Sequence, residues 1–135
     1  YGRETGIDLP YETSGLVPSR AWKKRRFGEA WQMGDTVNAS IGQGHVLVTP
    51  LQTAVFLSSL INGGELLKPQ LLDDAPREVV GRTPISDASL AWIKRAMVQT
   101  VEGAGATAKV LKRKDMKIGG KTYLVHSSNV VLISN

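Results

Sequence analysis

The sequence predicts an α/β fold of the α+β type, rich in helix with a few antiparallel strands. Two capped stretches, "TPLQTAVFLSSLINGG" and "SDASLAWIKRAMVQTVEG", carry apolar residues at helical spacing. The strand-like runs "EVVGRTPI", "MKIGGKTYLV" and "NVVLIS" do not alternate regularly with them, as a doubly wound parallel sheet would require. A chain of 135 residues builds one small core but hardly two, and no repeat, low-complexity tract or linker divides it. One compact unit is expected.

Taken in order, residues 1–48 are punctuated by "TGIDLP", "SGLVPS" and "SIGQG", which predicts long ordered loops with short helical pieces. Thr49 can cap the first clear helix, Pro50 suits its first turn, and Asn62-Gly63-Gly64 ends it. Its apolar residues spread around most of the circumference, so it needs burial on several sides. Strand and turn are expected over 65–85. Ser86 then caps a second helix with one apolar stripe, Leu90, Ile93, Met97 and Val101. A shorter helix is expected at "GATAKVLK", and the two last strand candidates close the chain, with "NVVLIS" able to pair with the strand of Lys121 as a hairpin.

Composition narrows the chemistry. At 41% apolar and 21% charged residues the chain belongs with globular proteins. It has no cysteine, which excludes disulfides, thiolate nucleophiles and Cys-ligated zinc. The two histidines, His45 and His126, lie far apart without partner spacing, so neither a metal nor a cofactor is expected. No apolar run approaches the ~20 residues of a membrane helix, and no export signal is visible. The first residue is Tyr1 rather than Met, as in an excerpt of a longer chain. The net charge of +5 gathers in "RAWKKRR" and between Lys109 and Lys121. Such clusters can bind anionic polymer or lipid. The plainer account is a solvated helix face with Trp22 and Trp31 in the core, and without interleaved aromatics no nucleic acid is expected.

"TGIDLPYETSGLVPS", "RRFGEAWQMGDTVNASIGQG", "LVTPLQ", "NGG", "KPQLL", "GATA" and "GGKT" stand in an order and spacing that resembles the later part of the transpeptidase domain of class B penicillin-binding proteins, the cell-elongation type in particular. The similarity covers about residues 2–122. It implies part of the penicillin-binding protein/serine β-lactamase-like fold, an antiparallel sheet flanked by helices, of which one or two strands remain here. It also implies a reaction, in which a serine attacks the D-Ala-D-Ala bond of a peptidoglycan stem peptide and the acyl group passes to an amine of a neighbouring strand. β-Lactams imitate the donor. Family members carry Ser-x-x-Lys, then Ser-x-Asn, then Lys-Thr-Gly. The first pairs a weak nucleophile with its base, and the last offers a cation and a hydroxyl to the donor carboxylate on an edge strand.

In this chain no serine is followed by lysine three residues on; Ser19 is followed by Trp22, with Lys23 one place late. No catalytic residue is therefore expected here. Ser127-Ser128-Asn129 fits Ser-x-Asn but follows the lysine-threonine pair instead of preceding "TGIDLP", and is given no role. Lys121 and Thr122, preceded by Gly119 and Gly120, match the first two positions of the third motif and are the expected substrate-binding residues. Tyr123 replaces its glycine, and by strand alternation its ring would share a face with Lys121, where a ligand backbone should approach.

From Tyr123 onward the resemblance stops. The expected organisation is a partial transpeptidase domain, 1–122, and a non-matching tail, 123–135, of the kind a shifted reading frame near codon 123 produces. The leading expectation is a segment not catalytic by itself; the alternatives are half of a split enzyme completed by an upstream transpeptidase fragment, and a basic binding module. The resemblance implies a peptidoglycan stem peptide or a β-lactam as ligand. The missing strands imply marginal stability or self-association through exposed apolar faces and unpaired edges. Intact relatives work on the outer side of the inner membrane; without signal or anchor, this chain is expected in the cytoplasm if translated as shown.

Overall fold

Capping groups set all four helices, the two long ones where the sequence predicts them. In the computed structural model, which describes residues 1–122 and the backbone of 131–134, α1 (Arg20–Phe27) starts at Ser19, whose Oγ accepts from Trp22 N at 3.1 Å, and stops at Gly28, left-handed at φ 73°. Helix α2 (Met33–Ser40) follows, with the Asp35 carboxylate accepting from Gln32 N at 2.7 Å. Helix α3 (Pro50–Ile61) begins as expected, with Gln52 N donating to Thr49 Oγ1 at 3.1 Å. Ser86 caps α4 (Asp87–Glu102), accepting from Ser89 N at 3.3 Å.

The single unit expected from the sequence is in fact two, Tyr1–Gln52 and Thr53–Asn135, divided within α3. The absence of a Gly/Pro/Ser linker at the boundary, which a continuous helix makes unnecessary, is what hid the division.

In the first unit, α1 and α2 are the short helical pieces expected among long loops. Leu16 and Leu47 pair their backbones in an isolated antiparallel bridge, N to O at 2.7 and 2.9 Å. Gly15 makes this possible, because it sits at φ 64° and a Cβ there would lie 2.4 Å from Leu47 O. Gln52, buried in the first turn of α3, fastens the loops, its Nε2 donating to Arg3 O at 2.6 Å and Ser14 O at 2.8 Å while its Oε1 accepts from Thr49 N at 3.0 Å. A buried amide with these partners costs little to desolvate, and losing it would orphan two carbonyls. Glu12 does the same for the opening loop, accepting from Thr5 N, Thr5 Oγ1 and Gly6 N at 2.6–3.0 Å.

In the second unit, Leu57 and Leu60 of α3 meet Leu90 and Met97 of α4, with Phe56, Ile61, Ile85 and Ile93 packed around them. Each such leucine withdrawn from water contributes about 1.5–3 kcal/mol before entropy is counted. After α3, Asn62 closes the turn by exchanging two 3.0 Å hydrogen bonds with the Glu65 backbone. This leads into β1 (Glu65–Leu67), which pairs antiparallel with β2 (Val79–Arg82) through Glu65↔Arg82, Leu66↔Gly81 and a bulged Leu67↔Val79. Beyond α4, Val101 is fully buried with Ala108 and Ile118, under Leu111 and Met116. The helix expected at "GATAKVLK" is only a 3₁₀ turn over Lys109–Leu111. Ala108 N bonds back to Thr100 O at 3.0 Å and its methyl is buried, so tertiary docking ends the local helix before it can extend.

Two strands close the unit. β3 (Ile118–Lys121) pairs antiparallel with β4 (Val131–Ser134) in the register Ile118↔Ser134 to Lys121↔Val131. The pairing expected of "NVVLIS" with the Lys121 strand is thus present over Val131–Ser134. Tyr123, His126 and Ser127-Ser128-Asn129 lie outside the described residues, as does the ring placement expected of Tyr123.

Candidate substrate cradle

Strand β3 owes its position to its two glycines. A Cβ on Gly119 would lie 3.2 Å from Met97 Cβ, and one on Gly120 3.2 Å from Val101 Cγ2. Side chains at either place would push α4 away, so "GG" is what lets the helix backbone lie against the strand. Ile118 and Gly120 are buried while Lys121 is exposed.

Lys121 ends the strand and Thr122 follows it, both exposed. The Lys121 ammonium donates to Thr122 O at 2.7 Å, so it folds back over its neighbour. Because Thr122 lies past the last strand residue, it is not bound by the alternation that sends neighbouring strand side chains to opposite faces. An ammonium and a hydroxyl are the groups a carboxylate takes, the first supplying charge and the second direction. The adjoining loop adds positive charge through Lys112, Lys114 and Lys117, whereas Arg113 is engaged by Asp115 at 2.7 and 2.9 Å. That hydrogen bond holds the Asp115 carboxyl below the usual range and raises Arg113.

Sequence reasoning placed Lys23 in the basic cluster. It is instead buried, its Nζ 2.6 Å from Asp35 Oδ2 and 3.7 Å from Glu29 Oε2. The hydrogen bond from Lys23, with Gln32 N–H second, holds Asp35 below its ordinary value and raises Lys23 in turn. The partners lie twelve residues apart, with no local pattern to announce them. Trp22 and Trp31, expected in the core, are half-buried. Trp22 meets Phe27 edge-on at 5.5 Å and His45 at 5.1 Å. Trp31 lines a small open cleft of about 60 Å³ with Asp35, Asn38, Gln43 and His45. Among the described residues, no three His, Asp or Glu side chains gather where a metal could be held, and no helix is long and apolar enough to cross a membrane.

The penicillin binding protein transpeptidase domain model matches residues 1–122. Among curated relatives, the peptidoglycan D,D-transpeptidase MrdA of Salmonella typhimurium is 45% identical over 86 residues, which is 62% of this chain and 14% of the relative. The protein of the same name from Haemophilus influenzae is 33% identical over 135 residues, covering 90% and 20% respectively. The chain therefore spans about a fifth or less of the length of these relatives. Among solved structures, the Helicobacter pylori PBP2–MreC complex aligns with a TM-score of 0.75 at 30% identity, over 89% of this chain and 23% of that one. Pseudomonas aeruginosa PBP2 in complex with WCK 5153 gives 0.73 at 29% identity, over 89% and 29%.

Proposed function

The chain belongs to the penicillin binding protein transpeptidase family, as a segment of a class B transpeptidase domain, and from that premise we propose that it carries the carboxylate cradle of a peptidoglycan D,D-transpeptidase but not its nucleophile. Lys121 and Thr122 are the cradle. Lys121 neutralises the terminal carboxylate of a stem peptide, or the equivalent acid of a β-lactam, and Thr122 Oγ1 donates to it. What supports the reading most is one observation: the family match ends on these two residues, and both are exposed at the end of a strand locked beneath α4.

The reaction needs more than this. A serine oxygen must attack the penultimate carbonyl and lose its proton to a nearby base, and D-alanine must leave with a proton as the acyl–serine ester forms. No Ser-x-x-Lys occurs among these 135 residues, so the nucleophile and base have to come from another polypeptide segment. By itself the chain is inactive. The segment bearing that motif is the partner the cradle requires, and a site so completed would work where intact relatives do, on the outer side of the inner membrane. Residues 123–135 form a tail distinct from the transpeptidase segment 1–122, a reading supported by the end of the family match at residue 122.

Fluorescent penicillin tests the proposal. The chain alone takes no label; mixed with a separately produced segment carrying Ser-x-x-Lys and Ser-x-Asn, it restores labelling, and Lys121→Ala in the mixture lowers it at least tenfold. Label on the isolated chain would overturn the missing-nucleophile reading. An unchanged Lys121→Ala mixture would overturn the cradle.

A further inference from the structure

Helix α1 concentrates charge in a way that its own stability does not explain. Five of its eight residues are basic and none is acidic. Lys23 is neutralised by Asp35, but Arg20, Lys24, Arg25 and Arg26 are exposed, and none of the four joins an ion pair among the described residues. By the helical period, Arg20, Ala21, Lys24 and Arg25 share one side. The helix dipole accounts for cations in the last turn, where Lys24, Arg25 and Arg26 lie. It does not account for Arg20 in the first turn, where a cation is opposed, nor for placing Arg20 and Lys24 four apart with like charge.

This charge is local. The rest of the first unit holds one further cation, Arg3, against the acids Glu4, Asp8, Glu12, Glu29 and Asp35. The face is also rigidly presented, by the Ser19 and Gly28 caps, the Lys23–Asp35 bond and the packing of Trp22 and Phe27 on His45 at 5.1 and 5.2 Å.

We propose that this cationic side of α1 docks on an anionic phospholipid surface, with Arg20, Lys24 and Arg25 meeting the headgroup phosphates. Two apolar side chains flank the cations, Val17 before the helix at 55% exposure and Phe27 at its last residue at 46%, with the Arg26 guanidinium 5.6 Å from the Phe27 ring. Apolar side chains at both ends of a basic helix suit a headgroup boundary. A single-stranded nucleic acid would instead use a free ring for stacking, and Trp22 is half-buried against Phe27 and His45. A protein neighbour would have to bring acids to cover this side.

Vesicle co-sedimentation of the full chain tests the proposal. Vesicles of three parts phosphatidylcholine to one part phosphatidylglycerol bind the chain, pure phosphatidylcholine does not, and raising NaCl from about 50 to about 300 mM weakens binding at least tenfold. The combined variant Arg20→Gln, Lys24→Gln and Arg25→Gln loses on the order of a hundredfold, at about fivefold per cation. Its circular dichroism spectrum matches the parent, and its melting temperature is equal or higher because like charges are removed. A second variant, Lys112→Gln, Lys114→Gln and Lys117→Gln, has the same net charge and loses less than tenfold. Equal loss in both variants would overturn the assignment to α1. So would equal binding to uncharged vesicles, or tighter binding to a DNA duplex of about 20 base pairs at matched salt.

Discussion

Replacing Gly15 with alanine tests the packing of the first unit with a built-in control. Gly42 has nearly the same backbone, φ 73° against 64°, and nothing lies within 4 Å of where its Cβ would be. Gly42→Ala therefore costs only the left-handed conformation, about 1–2 kcal/mol, less the 0.4–1 kcal/mol recovered because alanine has fewer unfolded conformations to lose. The net is roughly 1 kcal/mol. Gly15→Ala carries that same cost and adds a collision, since its Cβ would lie 2.4 Å from Leu47 O and 3.1 Å from Gln52 Oε1. Relief requires the Leu16–Leu47 bridge to open, with the loss of two backbone hydrogen bonds at about 1 kcal/mol each. Gly15→Ala should thus destabilise by about 3 kcal/mol or more. Urea unfolding read by tryptophan fluorescence, which reports on the first unit through Trp22 and Trp31, gives both values. Costs agreeing within about 0.5 kcal/mol would refute the argument that contact with Leu47 is what demands glycine.

Further outcomes follow from other parts of the molecule. Met97→Ala leaves a cavity between α3 and α4 and should lower stability by about 2–5 kcal/mol in urea unfolding. The Lys23–Asp35 pair predicts an asymmetric pH profile. Because Asp35 is held below its ordinary 3.8, its contribution is present above that value and is lost as pH falls through the lowered one; because Lys23 is raised above 10.5, its contribution is present below 10.5 and is lost only as pH rises past the raised value. Asp35→Asn should flatten the acid limb of a fluorescence titration. The exposed apolar residues Met33, Val37 and Ile41, spaced four apart along and just beyond α2, should make the melting temperature rise with protein concentration, whereas a sharp, high and concentration-independent transition would contradict self-association.

Local chemistry was the legible part of this fold. The hydroxyl caps Thr49 and Ser86, Pro50, the Asn62-Gly63-Gly64 stop and the stripe through Leu90, Met97 and Val101 act within a few residues, and for the two long helices the structure follows them closely. What was not legible depended on distance along the chain. Lys23 reads as one more surface cation until Asp35 comes to lie beside it, and Gln52 reads as a helix residue until Arg3 and Ser14 offer their carbonyls. The third helix failed for the same reason, since Ala108 is drawn into the core by Thr100 and Gly120 before "AKVLK" can complete more than a 3₁₀ turn. At the cradle, the sequence showed Lys121-Thr122, but the reason for two glycines ahead of it appears only in the close passage of α4.

The β3–β4 ladder has one further consequence. Its hydrogen bonds run between main-chain atoms, which are the same in every residue but proline. A strand in need of a neighbour can accept whatever extended stretch arrives, regardless of that stretch's ancestry. Mutational drift in Val131–Ser134 should therefore be tolerated so long as proline is avoided, and the position of Lys121 is insulated from the history of the segment beside it.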